Sequence, residues 1–232
     1  MNTAGENDRI WQHYQSSRLD SFAEAKPRLD YLVGLIAART KGQPRVLNIG
    51  TGDGYLERRV KARGWAIDAL DPDSGAVARL ASEGIRATVG VAEQLPYESE
   101  SFDAVVVSEV LEHLSASQGR AVVDEIHRVL KIDGGRIYGT VPHAENLLEQ
   151  QVICPQCGVV FHRWGHQRSF TIEAVRAMLS ERFSIEVLKR TAFVRLFGRG
   201  VRGFMKSSAR IMLARLGEPI ASPNIVWVAS KR

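Results

Sequence analysis

The chain has only two cysteines among 232 residues, Cys154 and Cys157, three positions apart. That pair excludes the multi-bridge framework that staples small secreted domains. No apolar run reaches the roughly 18 residues a membrane-spanning helix needs, so none is expected. Residues Met1 to Asp8 are polar and carry acids, unlike a secretory signal or an Arg-rich transit peptide, and a cytoplasmic location is the expectation. Internal repeats and low-complexity blocks are also missing. One further absence is local. From Val187 to Gly217 there is no acid, while Lys189, Arg190, Arg195, Arg199, Arg202, Lys206, Arg210 and Arg215 recur, in a chain of net charge +5.

What is present is a hydrophobic fraction of 44%, enough for a sizeable core in one α/β domain over 1–232. Residues 46–54 carry the strongest signal: a short apolar run, then Gly50, Gly52 and Gly54. Glycines so placed let the backbone turn sharply after a strand and approach a ligand closely. Asp71 closes the next apolar run, followed by Pro72, where acids of dinucleotide folds accept bonds from ribose hydroxyls. A nucleoside-containing cofactor at a sheet edge is the reading. The spacing is Gly-x-Gly-x-Gly, not the Gly-x-Gly-x-x-Gly of pyrophosphate binders.

Four further segments carry a resemblance. Gly90 to Pro96, with Ala92 and Glu93, is similar to an adenine-edge loop. Ser101 to Val107 matches a Ser-Phe-Asp strand ending at Ser108. Glu109 to Leu114 follows it, and Arg128 to Lys131 with Gly134 to Ile137 turn into a fifth strand. Over about residues 40–142 the chain resembles the class I S-adenosylmethionine (SAM) methyltransferases, in particular the ubiquinone- and menaquinone-type small-molecule enzymes. The resemblance implies a Rossmann-like, seven-stranded, mostly parallel sheet with helices on both faces and an antiparallel seventh strand. It implies SAM against Asn48, Gly50, Thr51, Gly52, Gly54, Asp71, Pro72, Ala92, Glu93 and Ser108. Two positions depart from the pattern: Asn48 stands where an acid is usual, and Val91 where Asp is usual, with Glu93 as its substitute.

The periodicity predicts helices over Trp11–Ser17, Ser21–Arg39, Leu56–Arg63, Ser74–Glu83, Ser117–Leu130 and Thr171–Arg182. Strands are predicted over Arg45–Ile49, Ala66–Leu70, Ala87–Val91, Ala104–Ser108, Arg136–Val141, Ser184–Leu188 and Ile225–Ala229. This divides the domain into a helical cap over 1–40, a sheet, an insertion over 142–170 and a basic amphipathic segment over 189–217.

The insertion holds Cys154, Cys157, His162 and His166 in a C-x2-C-x4-H-x3-H spacing. Two thiolates and two imidazoles suit a closed, structural Zn2+ site resembling a zinc knuckle. A redox pair, a disulfide and plain surface histidines are the competing readings, and His143 is a substitute ligand. Phe161, Arg163, Trp164 and Phe170 either line a lid over an acceptor or pack the knuckle.

With SAM as cofactor, an acceptor atom attacks the methyl group in line, and a hydroxyl acceptor needs a base. His113 is the first candidate and His143 the second, with His13 and Tyr14 weaker. Glu109, Glu112 and His113 also resemble an E-x-x-E-H run associated with a divalent metal in ubiquinone-pathway O-methyltransferases. The expected activity is O-methylation of a small molecule or glycoconjugate, including lipid-linked acceptors. N- or RNA methylation and a non-catalytic SAM-fold binding protein are the alternatives. For 189–217 the readings are a long hairpin or helix packed on the domain with solvated arginines, or peripheral contact with an anionic membrane or acceptor. No RNA-binding motif appears, and nucleic acid is not the expected partner.

Overall fold

The computed structural model describes residues 20–194, 200–218, 221 and 223–232. The helix expected over Trp11–Ser17, with His13 and Tyr14, lies outside the described residues. After a 3-10 turn over Asp20–Ala25 the elements run α1 (Lys26–Ala37), β1 (Arg45–Ile49), α2 (Tyr55–Lys61), β2 (Ala66–Asp71), α3 (Ser74–Ser82), β3 (Arg86–Val89) and β4 (Ala104–Ser108). A 3-10 turn over Leu111–His113 leads to α4 (Ala116–Val129), β5 (Arg136–Pro142), β6 (Gln151–Ile153), β7 (Val160–His162), α5 (Ile172–Ser180), β8 (Phe183–Thr191), α6 (Gly200–Leu216) and β9 (Asn224–Lys231).

Seven strands form one sheet in the order β3-β2-β1-β4-β5-β9-β8. β1 to β5 pair in parallel, and β9 runs antiparallel to both of its neighbours, as expected of the last strand. The pleat sends alternate side chains to opposite faces. Leu47, Ile49, Val105, Val107, Ile137 and Trp227 meet Val122, Ile126 and Val129 of α4 and Val175 and Leu179 of α5. Val46, Ile67, Ala69, Val106, Tyr138 and Val228 meet Leu32, Val33 and Ile36 of α1, Leu56 and Val60 of α2 and Leu80 of α3. Both faces are thus covered, as a mostly parallel sheet requires.

Local chemistry sets the helix starts. Pro27 stands in the first turn of α1, where its missing N–H is no loss, and so splits the predicted Ser21–Arg39 helix from the 3-10 turn before it. Asp73 caps α3 by accepting from the Gly75 and Ala76 amides. Ser115 and Gln118 form a reciprocal capping box on α4.

The insertion is where expectation and structure part. It is built on an antiparallel hairpin, β6 with β7, in which Gln151 faces His162, Val152 faces Phe161 and Ile153 faces Val160. Cys154 donates its amide to the Val159 carbonyl and accepts from the Gly158 amide, which closes the turn at the tip. His162 therefore sits at the base, about 10 Å from the tip at 3.3 Å per residue. Sequence proximity suggested a knuckle, but strand pairing draws the cysteines and histidines apart.

Candidate active site

The carboxyl ends of β1, β2 and β4 open onto a cavity of about 350 Å3, within the usual span of small-molecule sites. Asn48, Gly50, Thr51, Gly52, Asp71, Pro72, Ala92, Glu93, Ser108 and His113 all line it. Gly54 does not. It holds a left-handed conformation, φ 80°, as the residue capping α2. The loop requires its glycines: at Gly50, φ 81°, a Cβ would sit 2.8 Å from Val110 Cγ2.

Asp71 is buried, and its Oδ2 accepts from the Thr51 amide at 2.7 Å and the Thr51 hydroxyl at 2.8 Å. Its Oδ1 accepts from the Asp73 amide at 2.9 Å. The acid thus ties the glycine loop to the end of β2. A carboxylate has about four acceptor positions, and the Thr51 hydroxyl is the bond a ligand hydroxyl can replace.

Asn48 sends its amide to the Gly50 carbonyl, 3.2 Å, and to Glu57 Oε1, 2.6 Å. Glu57 is wholly buried beneath the loop. Burial pushes its carboxyl up to about 7, with the Asn48 bond only partly opposing. An acid therefore lies under the loop, on α2, joined to the loop through Asn48. Glu93 accepts from the Gln118 amide at 2.6 Å, so the substitute expected at the adenine edge is already engaged. Val91 is exposed at the cavity rim.

The other end of the cavity is lined by Arg28, Ser108, Glu109, His113, Gln118 and Gln167. Arg28 reaches from α1 to the Ser108 hydroxyl, 3.1 Å, and lies 3.7 Å from Glu109 Oε2. Glu109 has φ 56°, a left-handed conformation rare for a residue with a Cβ, and its carboxylate accepts from the Asn224 amide at 3.2 and 3.3 Å. Strain of this kind concentrates at functional sites. Glu109 points to these partners and does not join Glu112 and His113 in a shared ligand set, which corrects the E-x-x-E-H expectation. Burial, with the neighbouring His166, pushes His113 down to about 3. It is neutral at any ordinary pH but too weakly basic for efficient general-base catalysis.

His143, the second candidate base, does not line the cavity. Its amide bonds to the Pro223 carbonyl and it bridges to Phe170, continuing the sheet edge. None of Phe161, Arg163, Trp164 and Phe170 lines the cavity either; Phe170 is in the core, and Gln167 is the insertion's contribution. The expected Cys154–Cys157–His162–His166 set does not gather: among the described residues His162 and His166 converge with Glu145, and His166 with Glu112 and His113, while Cys157 is exposed. Arg28, Gln118 and Gln167 were missed by the sequence reading as parts of the cavity.

Residues 47–138 match the methyltransferase domain family model. This segment has the class I methyltransferase fold. A ubiquinone biosynthesis O-methyltransferase of Xylella fastidiosa (strain M23) is 30% identical over 156 residues, covering 56% of this chain and 61% of that enzyme. The chain thus spans less than two thirds of the curated relative it matches. Among solved structures, the 1,6-didemethyltoxoflavin-N1-methyltransferase of Burkholderia thailandensis, bound to 1,6-didemethyltoxoflavin and S-adenosylhomocysteine, superposes with a TM-score of 0.68 at 17% identity, covering 100% of this chain and 91% of that one. The N-methyltransferase NodS of Bradyrhizobium japonicum WM9, in complex with S-adenosylhomocysteine, gives 0.63 at 19% identity, covering 100% and 99%. At these identities the structural likeness concerns the fold.

Proposed function

We propose that this protein is a SAM-dependent methyltransferase acting on a hydroxyl of a small molecule or glycoconjugate. The observation that carries the reading is the single cavity joining the Gly50–Gly54 loop, Asp71 and Ala92–Glu93 to a polar far wall of Arg28, Ser108, Glu109, His113 and Gln167. The first half suits an adenosyl group: ribose hydroxyls on Asp71, displacing the Thr51 hydroxyl, and adenine beside Val91, Ala92 and Glu93. The far wall receives the acceptor. The binding of S-adenosylhomocysteine by the two N-methyltransferases of like fold supports the cofactor. The relatedness to an O-methyltransferase supports oxygen as the acceptor atom.

In the reaction the acceptor oxygen attacks the sulfonium methyl carbon in line. The carbon–sulfur bond breaks, its electron pair stays on sulfur, and S-adenosylhomocysteine leaves. The enzyme's share is alignment of the two reactants and removal of the acceptor proton. Glu109 is the group we assign to the proton, since its carboxylate faces the cavity between Arg28 and Asn224, whereas His113 is held too weakly basic. Glu109→Gln should lower kcat by about 100-fold or more and leave S-adenosylhomocysteine affinity unchanged. A labelled-methyl screen over phenolic, sugar and lipid-linked acceptors, with amines and RNA as the other arms, measures this. Transfer only to amines or RNA would replace the acceptor class. Cofactor binding without transfer to any acceptor would favour a non-catalytic binding protein.

We further propose that α6 rests on an anionic lipid surface. Met205, Met212 and Leu216 are exposed, on one stripe with Ala209, while Ser207 and Ala214 on the opposite side are buried. Lys206 and Arg215 flank the stripe. Arg210 is not part of a free basic face, because its guanidinium donates to the Ala221 carbonyl. An outward apolar stripe between cations in an acid-free segment matches an in-plane interfacial helix.

A further inference from the structure

We propose that Cys154 and Cys157 are half of a tetrathiolate zinc site that a second copy of this chain completes, so that one Zn2+ joins two molecules tip to tip.

The geometry of the tip is the first observation. Both cysteines stand at the outer end of the β6–β7 hairpin, in the turn closed by the Cys154–Val159 and Gly158–Cys154 backbone bonds. Pro155 presets its own φ after Cys154. Gly158 leaves the turn with φ 71°, a left-handed conformation that glycine adopts without strain. The turn brings the two sulfurs side by side. The Cys157 amide, the Gln156 amide and the Cys157 thiol all donate to the Cys154 sulfur, which holds that thiol below its ordinary range. Amides aimed at a sulfur favour the thiolate, the form that ligates metal. Zinc at 2.3 Å from each sulfur of a tetrahedron needs them about 3.8 Å apart, a spacing that two side chains of one tight turn supply.

The number of donors is the second. A closed zinc site takes four ligands, and the tip offers two. The chain has no third cysteine. Among the described residues, no group of three His, Cys, Asp or Glu side chains placed to share an ion includes either cysteine. The histidines of the insertion are engaged elsewhere. His162 Nδ1, at the base of the hairpin, accepts from the Trp164 and His166 amides, and His166 Nδ1 meets Glu145 Oε2 at 2.5 Å. The missing pair must come from another molecule. A two-fold axis through the ion brings the same two thiolates from a second copy, and a tetrahedral set of four sulfurs suits zinc.

The surface around the tip is the third. Gln150 to Phe161 carry no charge, in a chain that is 25% charged. Val152, Ile153, Val159 and Val160 are all exposed, Ile153 and Val160 by 64% and 53%. The hairpin is a two-stranded sheet of its own, an arrangement marginal in water. Contiguous exposed apolar side chains mark contact surfaces. Two tips meeting at an ion cover them, and the metal bonds supply the association energy that so small an area lacks.

The full chain, purified under reductant and stripped with a chelator, is titrated with Zn2+ and, separately, Co2+. Sedimentation velocity gives the mass and elemental analysis the metal. The stripped monomer should become a dimer at one Zn2+ per two chains. The Co2+ form should show thiolate charge-transfer bands and the absorption of a tetrahedral ion. Cys154→Ser with Cys157→Ser should abolish the bands and the zinc-dependent dimer, with circular dichroism unchanged, while His166→Gln should keep both. Ile153→Asp with Val160→Asp should weaken the zinc-dependent association at least about tenfold, because like charges then meet across the axis. One Zn2+ per monomer would overturn the proposal in favour of a site completed within one chain. A dimer indifferent to chelator and to loss of the cysteines would overturn it, as would a dimer that only an oxidant produces. A folded wild-type chain that binds no zinc would overturn it outright. The wild-type mass and stoichiometry decide among these even where a variant fails to fold.

Discussion

Asn48 and Glu57 form a buried pair beneath the glycine loop. Asn48 has no charge, but its amide joins the loop carbonyl of Gly50 to a carboxyl buried under the loop. Holding that carboxyl near 7, against an ordinary 4.5, has a consequence for stability. Between those values the native state keeps a proton that the unfolded chain has released. Glu57 therefore contributes stability that is fully present below about pH 4.5 and is lost as pH rises through about 7. Glu57→Gln keeps the acceptor for Asn48 and removes the titration. Urea unfolding at pH 4.5 and pH 8 should show the variant gaining on the wild type by about 3 kcal/mol across that window. A difference between the two proteins that does not change with pH would contradict the assignment of Glu57's burial.

Elements succeed or fail by how completely their neighbours specify them. At Gly139 in β5 a Cβ would lie 2.1 Å from the Trp227 ring and 2.8 Å from the Val107 carbonyl oxygen. The glycine is thus the space into which the wholly buried indole of β9 packs. Gly139→Ala should destabilise by about 1–3 kcal/mol or more, and thermal unfolding monitored by tryptophan fluorescence would show it. An unchanged midpoint would contradict this packing. The sheet was legible in advance because its strands are apolar runs bounded by turns: Arg45–Ile49 and Ala104–Ser108 form as read, and the rest differ at their ends. The hairpin of β6 and β7 was not legible. Each strand has three residues, too few to show a period, and the C-x2-C spacing drew attention to a knuckle, whereas the hairpin puts the cysteines at its tip and His162 at its base. In α6 the sequence left a helix open as one reading, and Gly200–Leu216 is helical. The direction of its apolar stripe, outward, depends on which side chains the domain covers.

At the scale of the whole molecule, the cofactor half of the cavity was readable, but of the acceptor half only the run from Glu109 to His113 was. Gly50, Asp71, Ala92 and Ser108 each end a strand or follow one, and parallel topology brings such ends to one edge. Arg28 meets Ser108 across 80 residues, and Gln167 meets His113 across 54, which no local pattern reveals. The insertion reaches the cavity through Gln167. No helix among the described residues is long and apolar enough to cross a membrane. The outward stripe of α6 predicts binding to vesicles rich in phosphatidylglycerol, weakened by salt and lost in Met212→Asp with Leu216→Asp. Cosedimentation measures it. Equal binding to phosphatidylcholine vesicles, or a dimer that the same substitutions dissolve, would contradict it.

The central claim is that the cavity at the carboxyl edge of the sheet holds the adenosyl cofactor, and calorimetric titration with S-adenosylhomocysteine tests it most directly. The account predicts micromolar binding by the wild-type chain, weakened by about 10–100-fold in Asp71→Ala, the loss of one or two charge-assisted hydrogen bonds. Absence of binding by a folded chain, or affinity indifferent to Asp71, would contradict it.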